Sequence, residues 1–138
     1  MALPTRILLE VVTPMGLLLR EEVEEVIAPG EDGYFGVRPG HTPFLSTLGL
    51  GEITYRRGTE RAHLTCFWGF CEVLPDRVNV LAEIGERAED IDLARAEKDR
   101  SQALERMKAI RDEEGYRDAQ LAYIKAVTRL SVAQRRRG

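Results

Sequence analysis

Between Arg6 and about Arg87 apolar and polar residues alternate in short runs: Ile7 to Thr13, Val23 to Ala28, Glu52 to Arg56, Ala62 to Phe67, Phe70 to Leu74 and Arg77 to Ile84. The run Arg77-Val78-Asn79-Val80-Leu81-Ala82-Glu83 is the clearest. Successive strand side chains point to opposite faces, so a period of two marks strands with one face buried. Turn chemistry punctuates these runs at Pro14-Met15-Gly16, Pro29-Gly30-Glu31-Asp32-Gly33, Pro39-Gly40, Gly49-Leu50-Gly51, Arg57-Gly58, Trp68-Gly69 and Pro75-Asp76. Many short strands at even spacing, with no helical stretch among them, predict an antiparallel sandwich or barrel.

At Asp90 the texture changes. Prolines stop, and Ala, Glu, Lys, Arg, Leu and Gln dominate up to Gln134, a helix-forming composition. Asp90 or Asp92 is placed to cap a first helix, whose apolar residues Leu93, Ala96, Ala103, Leu104, Met107 and Ile110 fall largely three and four apart. Gly115 is expected to break the run. A second helix carries Tyr116, Ala119, Tyr123, Val127 and Leu130 on one stripe, widened by Leu121 and Ile124. Two amphipathic helices with a short connection predict an antiparallel hairpin. Each would be about 30 Å long at 1.5 Å per residue, so end to end they would reach roughly 60 Å.

The chain has 138 residues, 43% hydrophobic and 31% charged, which fits a folded protein and excludes wholesale disorder. The formal charge of −3 conceals an asymmetry: 14 acidic and 8 basic residues precede Asp90, against 9 and 12 from Asp90 onward. No acid follows Asp118, whereas Lys125, Arg129, Arg135, Arg136 and Arg137 do. Such a tail is drawn to acidic protein surfaces, phosphates or anionic lipid, or simply completes a helix C-terminus whose dipole favours cations. Cys66 and Cys71 lie among apolar neighbours and read as core thiols, and with His41 and His63 they lack zinc-finger spacing. The first residues have neither the charged region nor the cleavage site of a signal peptide. Apolar stretches fall short of the ~20 residues that span a bilayer, so membrane association is expected only through a partner.

Candidate chemistry is thin. G-x-S-x-G, H-E-x-x-H, C-x-x-C and Walker patterns are all absent. His41, between Pro39-Gly40 and Thr42-Pro43, is better suited to holding a tight loop or meeting a partner than to hydrolysis or metal binding. Gly30, Gly33 and Gly36 precede no helix that would supply phosphate-binding N–H groups. The acidic first part and the lack of aromatic platforms in the basic tail argue against nucleic acid. No catalytic residue and no metal ligand are assigned.

The string Gly33-Tyr34-Phe35-Gly36-Val37-Arg38-Pro39-Gly40-His41-Thr42-Pro43-Phe44 resembles the G-x-x-G-(I/V)-x-P-G-H-x-P signature of F-type ATP synthase epsilon subunits. Val11 to Pro14, Gly69 to Val73, Glu86 to Asp92 and Arg129 to Ala133 match that family in the same order. The resemblance implies an α+β chain: a ten-stranded antiparallel β-sandwich over residues 1–88 and an antiparallel two-helix hairpin over 89–138. It implies a non-catalytic rotor subunit that sits against the gamma subunit and the c-ring, with Glu31 and Asp32 facing the c-ring and His41 near gamma. Its place would be the cytoplasmic face of a bacterial plasma membrane. Extended along gamma, the tail would set Lys125, Arg129, Arg135, Arg136 and Arg137 against acidic alpha and beta surfaces and impede ATP hydrolysis.

Ile91-Asp92-Leu93-Ala94-Arg95-Ala96 reproduces the family's I/L-D-x-x-R-A motif, which implies ATP as a regulatory ligand and no required cofactor. By that resemblance Asp92 accepts from the adenine amino group, Ile91 and Ala96 offer apolar surface, and Glu86, Arg95 and Arg129 fall on ATP-site positions. Lys125 stands where some members have arginine and Gln102 where some have a basic residue. A lysine keeps the charge but loses the planar two-pronged grip, so affinity below that of members with the full arginine set is expected. The competing reading makes Asp92 a helix cap and pairs Arg95 with Asp99. A free-standing ATP-sensing domain outside any motor is the alternative function.

Overall fold

Seven strands form among residues 4–135, one more than the six alternating runs, and the last three are longer than the runs that mark them. A computed structural model describes residues 4–135. Its strands are Ile7–Thr13 (β1), Gly16–Val23 (β2), Glu25–Gly30 (β3), Gly33–Val37 (β4), Phe44–Arg57 (β5), Glu60–Leu74 (β6) and Arg77–Arg87 (β7). They are hydrogen-bonded in the order β2-β1-β7-β6-β5-β3-β4. β2 returns to touch β5 and β7, so the sheet folds over and encloses one core. Ile7, Leu9, Val11, Val26, Ile53, Cys66, Cys71, Val73 and Val78 fill it from alternate positions. The two thiols are core residues, and burial pushes both up to about 12.

Three sequence expectations need correction. The strand count is seven rather than ten, because β5 and β6 run unbroken through Gly49-Leu50-Gly51 and Trp68-Gly69, which the sequence marks as turns. Ladder pairing omits only Gly49 and Glu83 opposite Trp68 and resumes in the same register, so neighbouring backbone groups stay satisfied. Trp68 is the one non-glycine with positive φ (63°) among the described residues, and Gly69 follows at φ 145°. A Cβ on Gly69 would lie 2.0 Å from the Leu81 carbonyl oxygen, so glycine is required for the strands to approach. Second, the sheet is not wholly antiparallel: β1 pairs with β7 in parallel, Leu9 beside Val78 and Val11 beside Val80. Third, β2 is missed by the alternation because Leu17-Leu18-Leu19 is continuously apolar, although only Leu19 of the three is buried.

A 3-10 turn, Ala88–Asp90, leads from β7 into helix α1 (Leu93–Ala109), and helix α2 covers Glu113–Arg135. Asp92 is the cap: its side chain accepts from the Arg95 backbone N–H at 3.1 Å. Gly115 does not break the helix. The interruption lies earlier, and Asp112 starts α2 by accepting from the Gly115 N–H at 2.8 Å. A Cβ on Gly115 would meet Ile110 at 2.7 Å, so glycine lets the connection fold back closely.

The buried helix faces are mostly alanine: Ala96 and Ala103 on α1, Ala119 and Ala126 on α2. Small side chains let the two backbones pack closely, while Leu93, Leu104, Tyr116 and Val127 of the expected stripes stay substantially exposed. α2 lies on β5, β6 and the 3-10 turn, and α1 packs on α2. Ala88 and Ile91 join Val132 and Ala133 in a second buried cluster, which seats the end of α2 at the joint. The hairpin is therefore in its docked arrangement.

Candidate functional site

The joint gathers side chains that are far apart in sequence. Arg129 Nε on α2 donates to Glu86 Oε1 on β7 at 2.9 Å, and Glu86 Oε1 also accepts from Thr65 Oγ1 at 2.9 Å. The Arg129 guanidinium lies over the Phe67 ring, 5.1 Å from its centroid. One turn earlier on α2, Lys125 Nζ lies 4.7 Å from the centroid of Trp68. Cations over aromatic faces are attracted by the ring quadrupole, so these contacts hold α2 to β6 while leaving both cations partly open to solvent.

Beside the Glu86–Arg129 pair is a cavity of about 300 Å³ lined by Glu86, Ile91, Asp92, Arg95, Ala96 and Arg129, with Asp90 and Asp99. Six of the seven residues assigned to a nucleotide site thus surround one space. The seventh, Lys125, lines an adjoining cavity of about 380 Å³ between α1 and α2, with Gln102, Arg106 and Asp118. Asp99 and Arg129 line both cavities, which makes the two spaces contiguous. In the sequence Asp99 reads only as an ion-pair partner for Arg95, and Arg106 and Asp118 carry no assigned role; the only signal for the latter two is their place on the two facing helices.

Within the first cavity the residues divide by role. Ile91 and Ala96 are buried in the joint, so little of their apolar surface reaches the cavity. Asp92 uses one carboxylate oxygen as the helix cap. Arg95 is exposed at the start of α1. Carboxylates able to accept from amino or hydroxyl groups therefore face arginines able to grip phosphate oxygens across one small cavity.

The end of α2 makes a second polar contact with the sandwich. Arg135 Nη1 bonds Glu52 Oε1 and lies 3.5 Å from His63 Nδ1, while Ser131 Oγ donates to Glu52 Oε2 at 3.3 Å. His63 Nδ1 is also 3.0 Å from Thr54 Oγ1 and 3.5 Å from Glu52 Oε1. Burial first, then the charge of Arg135, hold this imidazole below its usual value. Glu52 and His63 carry no sequence signal of a contact with Arg135, 83 and 72 residues away.

Of the residues assigned to other interfaces, Arg135 bonds Glu52 at the end of α2, whereas Glu31, Asp32 and His41 lie far along the chain from the joint. Glu31 and Asp32 are exposed in the β3–β4 turn, where Glu31 Oε2 accepts from Thr47 Oγ1 at 2.7 Å. His41 donates from Nδ1 to the Thr42 carbonyl at 2.6 Å, and its backbone N–H reaches the Arg38 carbonyl, so it holds its own loop. Arg136 and Arg137 lie outside the described residues. Among the described residues no group of three or more His, Cys, Asp or Glu side chains is placed to hold a metal ion, and no helix is long and apolar enough to cross a membrane.

Comparison with known proteins gives a consistent picture. A family model described as ATP synthase, Delta/Epsilon chain, beta-sandwich domain matches residues 6–88. A second, described as the long alpha-helix domain of the same chain, matches residues 89–134. The sequence is 45% identical over 128 residues to ATP synthase epsilon chain 2 of Syntrophotalea carbinolica, covering 92% of this chain and 93% of that one. It is 44% identical over 130 residues to the ATP synthase epsilon chain of Syntrophobacter fumaroxidans, covering 94% and 97%. In structure it resembles a chain of the Euglena gracilis mitochondrial ATP synthase (OSCP/F1/c-ring in rotational state 1), with a TM-score of 0.80 at 20% identity, over 93% of this chain and 81% of that one.

Proposed function

The chain belongs to the ATP synthase delta/epsilon family as an epsilon chain, a non-catalytic subunit of the F-type enzyme, and on that premise we propose that its hairpin is an ATP-gated brake on ATP hydrolysis. The observation that carries this reading is the Glu86–Arg129 bond across the joint, beside a cavity whose walls come from both parts of the chain. A ligand filling that cavity touches β7, the connector, α1 and α2 at once. It binds the docked arrangement and loses its partners when the hairpin leaves. A ligand selective for one arrangement stabilises it by mass action, so ATP would hold the brake off.

In this reading adenine lies against Asp92 and the edges of Ile91 and Ala96. Arg95, Arg129 and Lys125 meet the phosphates, which extend toward the cavity between the helices. Released, the hairpin has a reach of roughly 60 Å, enough to project along gamma and bring the basic end of α2 to acidic surfaces of the alpha and beta subunits. Residues 1–88 would act as the rotor seat, with Glu31 and Asp32 toward the c-ring and His41 toward gamma, and residues 89–138 as the regulatory unit. As a subunit of ATP synthase the chain is associated with a membrane-bound complex, and its bacterial relatives favour the cytoplasmic face of a plasma membrane.

Removing every residue after Asp90 tests the brake: ATP hydrolysis by the assembled enzyme rises, and an unchanged rate overturns the inhibitory role. Calorimetry tests the ligand. The Asp92→Ala, Arg129→Ala double variant loses ATP binding, and an affinity equal to the unaltered chain's overturns the placement. Co-purification with gamma separates a motor subunit from a free-standing sensor.

A further inference from the structure

Beside the α2 terminus is a cavity of about 150 Å³ that shares no lining residue with the two spaces at the joint. Its polar walls are Tyr55, Arg61, His63, Arg87, Glu89 and Arg135. Three arginines from three elements, β6, β7 and α2, converge there against one lining carboxylate. Their existing bonds leave donor capacity. Arg87 holds the Leu18 carbonyl through Nε and Nη2 at 3.2 and 2.7 Å, while Nη1 stands 3.7 Å from Glu89. Arg61 is half exposed and reaches Glu25 only at 4.0 Å. Arg135 gives Nη1 to Glu52.

A guanidinium has five N–H donors in a fixed fork matched to oxyanions, and each of these arginines gives only part of its fork to Glu89, Glu25 or Glu52, so the remaining donors can converge on one anion. His63 sits in the same field: burial first, then the charges of Arg135 and, more weakly, Arg61 oppose its protonation, with Glu52 acting the other way. At half the volume of the joint cavity, this space suits a small oxyanion.

We propose that this cavity binds a tetrahedral oxyanion, inorganic phosphate, which bridges Arg135 of α2 to Arg61 and Arg87 of the sandwich and fastens the docked hairpin. Phosphate is the product of the hydrolysis that the hairpin would brake, so the site would report product as the joint cavity reports ATP. The bridge adds donors from α2 to a ligand held by the sheet, and undocking removes them.

Calorimetry of the full chain with inorganic phosphate, at ionic strength fixed with chloride, tests this. One phosphate binds per chain, sulfate competes, and the Arg61→Gln, Arg135→Gln double variant binds at least tenfold more weakly. Both arginines are exposed enough that the variant should fold, which circular dichroism verifies. An independent measurement on the unaltered chain is the His63 imidazole proton resonance, which moves on phosphate addition and not on added chloride. A heat matched by chloride, an unmoved His63 resonance, or full affinity in the folded double variant overturns the proposal. Arg95→Gln, which alters an exposed residue of the joint cavity and leaves the Glu86–Arg129 bond in place, keeps phosphate binding. Its loss there would mean that phosphate occupies the nucleotide cavity and would equally overturn the assignment, whatever becomes of the ATP reading.

Discussion

Arg129 and Glu86, 43 residues apart, are joined by a 2.9 Å hydrogen bond from Nε to Oε1, which ties the last turns of α2 to the end of β7. Both side chains are partly shielded from water, and Thr65 donates to the same carboxylate oxygen. A hydrogen bond to a charged group contributes about 1.5–3 kcal/mol, well above an exposed ion pair. Arg129→Ala should therefore weaken hairpin docking by about 2 kcal/mol, read as a loss of energy transfer between labels on the sandwich and on α1. Glu86→Gln, which still accepts from Arg129, should cost less. Equal effects would mean that charge alone holds the joint.

Asp92 serves two arguments that one pair of substitutions separates. Asp92→Ala removes the cap on the Arg95 N–H and should cost about 1 kcal/mol of stability without any nucleotide. Asp92→Ser keeps a capping oxygen but lacks the carboxylate. Thermal unfolding should be nearly unchanged in the serine variant while calorimetric ATP binding falls. ATP binding that survives in Asp92→Ser would leave the residue as a cap only.

Gly69→Ala should destabilise the sandwich by about 4 kcal/mol or more, because the new Cβ would stand 2.0 Å from a backbone oxygen of β7 and the glycine holds φ 145°. Gly36, whose added Cβ would meet nothing within 4 Å, is the matched control. Its alanine variant should stay within about 0.5 kcal/mol. Denaturant unfolding of the two variants measures both.

Acidification should loosen the docked hairpin through His63. Its pKa is lowered from 6.5 in the docked arrangement by burial and by Arg135 and Arg61, with Glu52 opposing. Undocking removes Arg135 and much of the burial, so the imidazole binds a proton more readily when the hairpin is away. The docked arrangement is fully stable above about pH 6.5 and weakens as pH falls below it. The other polar and charged groups facing the site are Thr54, Tyr55, Arg87 and Glu89. Helix docking followed by energy transfer from pH 8 to pH 5 should show the loss, and His63→Gln should flatten that part of the profile.

The class of fold, the change of texture near Asp90 and the I-D-x-x-R-A string are legible along the chain, because each rests on local periodicity, composition or a contiguous motif. β1 appears at its observed limits, since Ile7 to Thr13 alternates without interruption. Local signals failed where a local rule met a nonlocal ladder: Gly49-Leu50-Gly51 and Trp68-Gly69 look like turns, yet paired neighbours carry β5 and β6 through them. Gly115 looks like a helix breaker, but Asp112 captures its N–H and starts the helix.

Tertiary structure alone decided that Glu86 faces Arg129, that Lys125 rests on Trp68 and that Glu52 and His63 receive the end of α2. It also selected alanines over larger apolar residues for the helix contact, since close backbone approach buries small side chains and leaves Leu93 and Val127 outside. These pairings join residues 43 to 83 positions apart. Spacing along the chain fixes which side of an element a residue occupies. Only the docking of one element on another fixes what stands opposite.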